Sequence, residues 1–202
     1  KSSAVRFNSN FALNELAALM AVSGVQTSGA LEANGTARLD LQNNFAVDGT
    51  LNSRGLSIQS GTTRLRDVSL YSPFHANPFL ISLDGLRLNT AGGALSAKVF
   101  IEKLQNLSVE GNLHNFSIPA LVSSVTGKQL GYDGSLQGSI RARGDLKAKG
   151  TSGYSAETNL TISPGLRGIP VSGRLNVKYN GPRDTVDLGQ SFIAFPNSRV
   201  NL

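Results

Sequence analysis

Apolar side chains recur at every second residue along most of the chain. Leu31, Ala33, Gly35, Ala37, Leu39 and Leu41 form one row, and Phe45, Val47, Gly49 and Leu51 a second. Leu95, Ala97, Val99 and Ile101 form a third, and Leu107, Val109, Gly111 and Leu113 a fourth. Leu136, Gly138, Ile140 and Ala142 continue the pattern, followed by Ala156, Thr158, Leu160 and Ile162, and then by Val171, Gly173, Leu175 and Val177. Side chains of an extended chain alternate between its two faces, so each row predicts a strand with one apolar and one polar face. Between the rows stand Asn52-Ser53, Asp84-Gly85, Gly92-Gly93, Ser163-Pro164-Gly165 and Asn180-Gly181-Pro182. These are turn chemistries that join antiparallel neighbours, and together they predict one meandering sheet.

Two segments depart from the alternation. Leu13, Leu16, Ala17 and Met20 stand at i, i+3, i+4 and i+7, and so do Ile118, Leu121, Val122 and Val125. Each stripe predicts an amphipathic helix, one near 11–22 and one near 117–126. Ser117 just ahead of Pro119 is a helix start, and Gly24 and Gly127 are stops. So narrow a stripe suits a core contact in which the helix caps or plugs its sheet; a gating or partner role is the other reading.

The two stripes lie 105 residues apart, and other features share that offset. The stretch SGALEANGTARLDLQ from residue 28 is echoed by DGSLQGSIRARGDLK from residue 133, with Gly29, Leu31, Ala37, Arg38, Asp40 and Leu41 returning as Gly134, Leu136, Ala142, Arg143, Asp145 and Leu146. Asn10 and Phe11 return as Asn115 and Phe116. A fixed internal period points to a repeat architecture, with units 1–105 and 106–202. Beyond residue 42 only apolar spacing survives, in Leu70 with Leu175, Leu88 with Ile193 and Leu95 with Val200. Because NSRVNL stops inside an apparent strand, the chain reads as a piece of a longer array.

Glycine complicates the apolar rows. A strand packed on a compact core fills its inner face with large aliphatic side chains, yet Gly35, Gly49, Gly111, Gly134, Gly138 and Gly173 take slots there. Glycine inside strands marks bulges, sharp bends or the close approach of another body. A tightly curled sandwich and a curved apolar groove that receives a ligand both satisfy this pattern.

Composition narrows the classes. With 40% hydrophobic residues the chain can build an ordered core, and 6% aromatics with 22 glycines is a sheet-and-turn composition. No apolar run approaches the ~20 residues of a membrane-spanning helix, and no signal-peptide pattern opens the chain. The absence of cysteine excludes disulfides, thiolate metal sites and cysteine nucleophiles. A net charge of +6 favours anionic partners. Against nucleic acid, Arg141, Arg143, Lys147 and Lys149 alternate with Ala142, Gly144, Leu146 and Ala148, which reads as a solvated outer face with few aromatic stacking platforms.

Candidate chemistry is sparse. His75 and His114 lie in loop-like contexts without carboxylate or cysteine partners at ligand spacing, so no metal or other cofactor is expected. There is no nucleophile elbow, phosphate loop or dinucleotide fingerprint. The aspartates and Glu15 mostly flank turns or fill outward slots, with no pairing of the kind a carbohydrate-active enzyme needs. The expectation is a protein that is not an enzyme.

The phrases YDGSLQGSIRARGDLKAKG (132–150) and LSVEGNLHNFSIPALVSSVTG (107–127) resemble the AsmA-like and TamB superfamily of bacterial envelope proteins. The likeness is one of glycine-punctuated alternating strands followed by a short amphipathic helix, and it covers most of the chain. It implies a long protein of the Gram-negative periplasm, anchored in the inner membrane, whose sheet curls into a taco-like trough with an apolar interior. It also implies conduction of phospholipid or another hydrophobic passenger between membranes, or assistance to outer-membrane protein assembly beside an Omp85-class barrel. The lining of that groove would come from the larger members of the rows: Leu31, Ala33, Leu39, Leu41, Phe45, Val47, Leu51, Leu95, Val99, Ile101, Leu107, Val109, Leu113, Leu136, Ile140, Leu146, Leu160, Ile162, Val171, Leu175 and Val177. The fold expected is all-β with one short helix per repeat. A secreted adhesin-like or solenoid binding module is the alternative, although parallel β-helices repeat every ~20 to 30 residues, far below the period here.

Overall fold

The computed structural model describes residues 3–15, 25–39, 44–129, 131–148 and 150–202. Of these, 72% are in strands and 8% helical, so the sheet carries the fold. Strands β1 (Ser3–Ala12), β2 (Val25–Ser28), β3 (Ala30–Leu39), β4 (Phe45–Ser60), β5 (Thr63–Ala76), β6 (Leu80–Thr90), β7 (Gly93–Glu102) and β8 (Asn106–Ser117) precede helix α1 (Ile118–Thr126). Strands β9 (Tyr132–Asp145), β10 (Tyr154–Pro164), β11 (Ile169–Pro170), β12 (Ser172–Asn180), β13 (Thr185–Asp187), β14 (Phe192–Phe195) and β15 (Ser198–Asn201) follow it.

All belong to one sheet with the order β1-β3-β4-β5-β6-β7-β8-β9-β10-β12-β14-β15. The short strands β2, β11 and β13 pair with β4, β9 and β12 beside this path. Every pairing is antiparallel except the two-residue contact of β11 with β9. The first and last strands do not meet, so the sheet is open, and it is curled.

Register decides which face each row occupies, because directly opposed residues share a face. One line of pairs runs from Val5 opposite Ala37 to Ala37 opposite Val47 and Val47 opposite Ala76. It continues through Ala76 with Ile81 and Ile81 with Ile101 to Leu107 and Gly144. A second reaches from Leu113 through Gly138 and Leu160 to Leu175. The apolar rows therefore form one continuous face from β1 to β15.

Keeping that parity requires bulges. Wherever the apolar spacing widens from two residues to three, a bulge absorbs the extra residue: Ser53 to Leu56 in β4, Leu65 to Val68 in β5, Leu83 to Leu86 in β6 and Leu113 to Phe116 in β8. Gly55 (φ 69°), Asp67 (φ 53°) and Asn115 (φ 53°) sit inside three of these intervals, and each is a residue type that tolerates the left-handed region. The predicted turns at Asn52-Ser53 and Asp84-Gly85 are corrected accordingly: both dipeptides lie inside strands, at bulges of β4 and β6. Pro73, inside β5, faces the same irregular stretch of β6, where no ladder pair needs the N–H it lacks.

The glycine slots are also explained. Phe7, Gly35, Gly49 and Phe74 oppose one another in succession across β1, β3, β4 and β5. A Cβ on Gly35 would stand 2.3 Å from the Asp48 carbonyl oxygen and 2.9 Å from the Phe7 ring, and one on Gly49 2.8 Å from the Phe74 ring. These glycines let strands approach closely and let the rings of neighbouring strands lie over them. The glycine slots therefore mark close approach of neighbouring strands within one open curled sheet, and not the facing layers of a sandwich.

Helix α1 forms where its stripe predicts. The Ser117 hydroxyl accepts from the Ala120 N–H at 3.3 Å, Pro119 occupies the first turn, and Gly127 closes the helix in the left-handed conformation (φ 69°) while donating to the Ser123 carbonyl at 2.9 Å. The helix packs on β5, β8 and β9, across the β6–β7 hairpin that lies between them. Residues 13–15 are helical as well, and the rest of the helix predicted near 11–22 lies outside the described residues apart from Phe11 and Ala12, which end β1.

Burial shows the consequence of having a single layer. Among the described residues only Ala33, Leu56, Val68, Ala97, Phe116, Ile162 and Val171 are fully buried apolar side chains. The accessible surface is 13070 Å² for a mass of 21.2 kDa. A compact monomer of that mass exposes about 9,100 Å². An excess of about 4,000 Å² accords with a sheet that has not closed over a solid centre.

Gly35→Val is expected to lower unfolding free energy by about 1–3 kcal/mol through overpacking against the Asp48 carbonyl and Phe7. Gly131→Ala, where an added Cβ meets nothing within 4 Å, is expected to stay within about 0.5 kcal/mol of the parent. Urea denaturation of both variants checks this; equal midpoints would contradict the close-approach assignment.

Candidate functional site: an apolar trough with a charged outer face

The lining residues proposed from the rows can now be placed. Leu31, Val47, Leu51, Leu95, Val99, Ile101, Leu107, Val109, Leu113, Leu136, Ile140, Leu160, Leu175 and Val177 all lie on the common apolar face and are half-buried. Ala33, Ile162 and Val171 are buried, Val171 in the link between β11 and β12 with its N–H donated to the Asp133 carbonyl at 2.9 Å. Leu39 and Phe45 share the face and are exposed, by 51% and 43%, where β3 leads into β4. Leu146 departs from its assignment: it lies in the turn after β9, exposed, with its N–H bound to the Gln105 carbonyl at 2.8 Å. Leu41 lies outside the described residues.

The rows missed part of the same face. Phe7 and Phe11 of β1, Leu70 and Phe74 of β5, and Ile81, Leu83, Leu86 and Leu88 of β6 join it through their ladder partners. In β5 and β6 the bulges break the alternation, so period-2 reading fails there although the spacing Ile81, Leu83, Leu86, Leu88 carries the signal. The face therefore contains no polar break between β3 and β9 wider than single serines such as Ser53 and Ser72.

Its two ends differ. Leu56 and Val68, Phe116, Ile162 and Val171 are buried at the strand ends nearest α1. Ile118 opens the helix directly above Gly134, its Cδ1 3.1 Å from where a Cβ would stand. A cleft of about 660 Å³ is lined by the helix residues Ala120, Ser123 and Ser124 together with Arg64, Leu65 and Thr90. At the opposite strand ends, around Leu39, Phe45 and Leu107, no apolar residue among the described ones is fully buried. The helix thus closes over one rim of the trough, and no described residue closes over the other.

The outer face is organised by charge. Lys98 opposes Glu110, Glu110 opposes Arg141, Arg141 opposes Glu157, Glu157 opposes Lys178 and Lys178 opposes Asp187. Positive and negative side chains alternate across six strands. Two of the contacts are ion pairs, Arg141 to Glu110 at 3.7 Å and Lys178 to Glu157 at 3.3 Å. Their side chains are 45–73% exposed, so each contributes at most about 1 kcal/mol. Their effect is on register, since a one-residue slip removes every opposed pair at once. Arg143 of the predicted basic face follows Arg141 on this side, Lys147 lies in the turn after β9, and Lys149 lies outside the described residues.

The reading of the histidines is corrected. His75 is in β5, directly opposite Asp48, with Nδ1 2.7 Å from the carboxylate, and Arg38 approaches the other carboxylate oxygen at 3.8 Å. His114 is in β8 and exposed. Neither belongs to a loop, and the Asp48 partner was invisible in the sequence because it is 27 residues away. Among the described residues no group of three or more histidines and carboxylates could hold a metal ion, and no helix is long and apolar enough to cross a membrane.

No protein-family model, no curated protein and no solved structure matches this chain.

Glu110→Lys sets a cation between Lys98 and Arg141 in place of the carboxylate. The expected outcome is a loss of about 0.5–2 kcal/mol at low ionic strength that shrinks as salt screens the exposed charges. Thermal denaturation at two salt concentrations measures it; a loss that is absent at low salt, or unchanged by added salt, would show that the ladder does not act through charge.

Proposed function

We propose that this chain is a non-enzymatic segment of an AsmA-like or TamB-type envelope protein, whose apolar trough carries phospholipid or another hydrophobic passenger across the periplasm. The passenger passes between membranes or, as a nascent outer-membrane strand, on to an Omp85-class barrel, and the parent protein is anchored in the inner membrane of a Gram-negative cell. The observation that supports this reading is the unbroken apolar face across the sheet, left half-exposed because the described residues form no second layer.

The physical requirement is simple. Moving an acyl chain through water exposes its methylenes at ~0.8 kcal/mol each, so one ~16-carbon chain meets a barrier on the order of 10 kcal/mol. Half-buried Leu, Val and Ile along successive strands lower that barrier by replacing water along one side of the chain, with no covalent chemistry. The charge ladder on the other face keeps that side solvated and the strands in register, so passenger contact is confined to one surface. A solenoid of short parallel coils finds no support, since the one parallel contact among the described residues is the β11–β9 pair.

Purified chain offered fluorescent phospholipid vesicles is expected to extract lipid detectable by native mass spectrometry. Val99 and Val109 oppose each other in the middle of the face. Replacing both with Glu is expected to cut extraction at least ~10-fold, because paired carboxylates do not tolerate acyl chains. Ser96→Glu, on the outer face, is expected to retain it. No lipid on the parent chain, or equal extraction by the Val99/Val109 double variant, would overturn the proposal.

A further inference from the structure

Turns at the surface usually carry small polar residues. On the α1 rim the hairpins β4–β5 and β6–β7 follow that rule, turning on Gly61-Thr62 and Ala91-Gly92. The rim opposite α1 does not. Phe79 stands in the β5–β6 turn, Leu104 in the β7–β8 turn and Leu146 in the β9–β10 turn, exposed by 69%, 61% and 42%. These tips are fastened in place and to one another. Asn77 Oδ1 accepts from the N–H groups of Phe79 and Leu80, both at 2.9 Å. The Phe79 carbonyl accepts from the Lys103 N–H at 2.7 Å, and the Gln105 carbonyl from the Leu146 N–H at 2.8 Å. Because successive tips are two strands apart, the three side chains form a row spaced by about 10 Å.

The central tip is strained as well as apolar. Lys103 and Leu104 both have φ 53°, in a turn closed by the Gln105 N–H on the Glu102 carbonyl at 3.0 Å. A turn with two left-handed residues ordinarily takes Asn-Gly, and a bulky side chain there is an outlier of the kind that clusters where a chain meets a ligand. Each leucine also has an exposed lysine beside it: Lys103 precedes Leu104, and Lys147 follows Leu146. The carboxylate of Asp145 is turned back into the fold, accepting from the Lys147 N–H at 2.9 Å and from Gln105 Nε2 at 3.2 Å. Glu102, at the end of β7, is exposed.

We infer that this rim docks on the surface of a lipid bilayer. Phe79, Leu104 and Leu146 dip to the boundary between headgroups and acyl chains, and Lys103 and Lys147 lay their stems beside them with the ammonium groups at the lipid phosphates. Single knobs about 10 Å apart do not make the contiguous patch of about 800 Å² per partner that a stable protein interface needs. A fluid surface takes up each knob separately, and anionic headgroups answer the lysines. The inference stands on the rim alone and does not depend on what the trough carries.

Flotation with vesicles of equal parts phosphatidylcholine and phosphatidylglycerol tests it. The unmodified chain is expected to float with the vesicles, and the triple variant Phe79→Ser, Leu104→Ser, Leu146→Ser to bind them at least ~10-fold more weakly. Leu166→Ser removes a fully exposed leucine from the α1 rim and is expected to float like the parent. Leu104→Gly separates binding from folding, because glycine adopts the left-handed region freely. It is expected to unfold at or above the parent's temperature while binding vesicles at least ~2-fold more weakly. The variant with Glu at both Val99 and Val109 is expected to lose lipid extraction and still float, which tells failure of the trough from failure of the rim. An unmodified chain that stays apart from the vesicles overturns the inference, as does a triple variant that floats unchanged or a Leu166→Ser variant weakened as much as the triple one. Self-association that the triple variant abolishes, without vesicle binding by the parent, would report a protein partner and overturns it too.

Discussion

The whole architecture rests on parity. Twelve strands follow one another in the sheet, and a one-residue slip at any ladder would turn an apolar row to the outside. Two devices hold parity: bulges that take up the odd residue wherever the apolar spacing widens to three, and opposed charges on the outer face that lose their partners if a strand slides. With parity held, every strand contributes its apolar side to a common surface. Nothing in the described residues covers that surface except α1 at one rim.

From this follow the unusual energetics. A two-layer protein stabilises itself by burying its inner rows completely, whereas here most of the apolar side chains are half-buried, shielded by their cross-strand and same-strand neighbours alone. Stability must come from the length of the ladders and from lateral packing, such as the Phe7 and Phe74 rings over Gly35 and Gly49. Full burial concentrates under the helix, which gives the sheet one solid rim. No described residue fills the remaining face.

Much of this was legible in the sequence, and the gaps have physical causes. Local patterns translated directly: the alternating rows became strands, and Ser117, Pro119 and Gly127 bounded the helix at Ile118–Thr126. Two ladder pairs, Leu88 with Leu95 and Ile193 with Val200, stand 105 residues apart. What failed depended on partners far away in the chain. Asn52-Ser53 and Asp84-Gly85 look like turns because a bulge and a turn use the same residue types, and only the neighbouring strand distinguishes them. The reason for the glycine slots, the rings and carbonyls of adjacent strands that stand where a Cβ would be, depends on partners in neighbouring strands. The Asp48 partner of His75 and the charge ladder required a register that no local pattern specifies.

The most direct test of an open sheet is its radius of gyration in solution, from small-angle X-ray scattering extrapolated to infinite dilution. A compact domain of 202 residues has a value near 16.5 Å. A sheet that stays open is expected to exceed that clearly; a value at the compact limit would mean that the apolar face closes on itself, and that no trough exists.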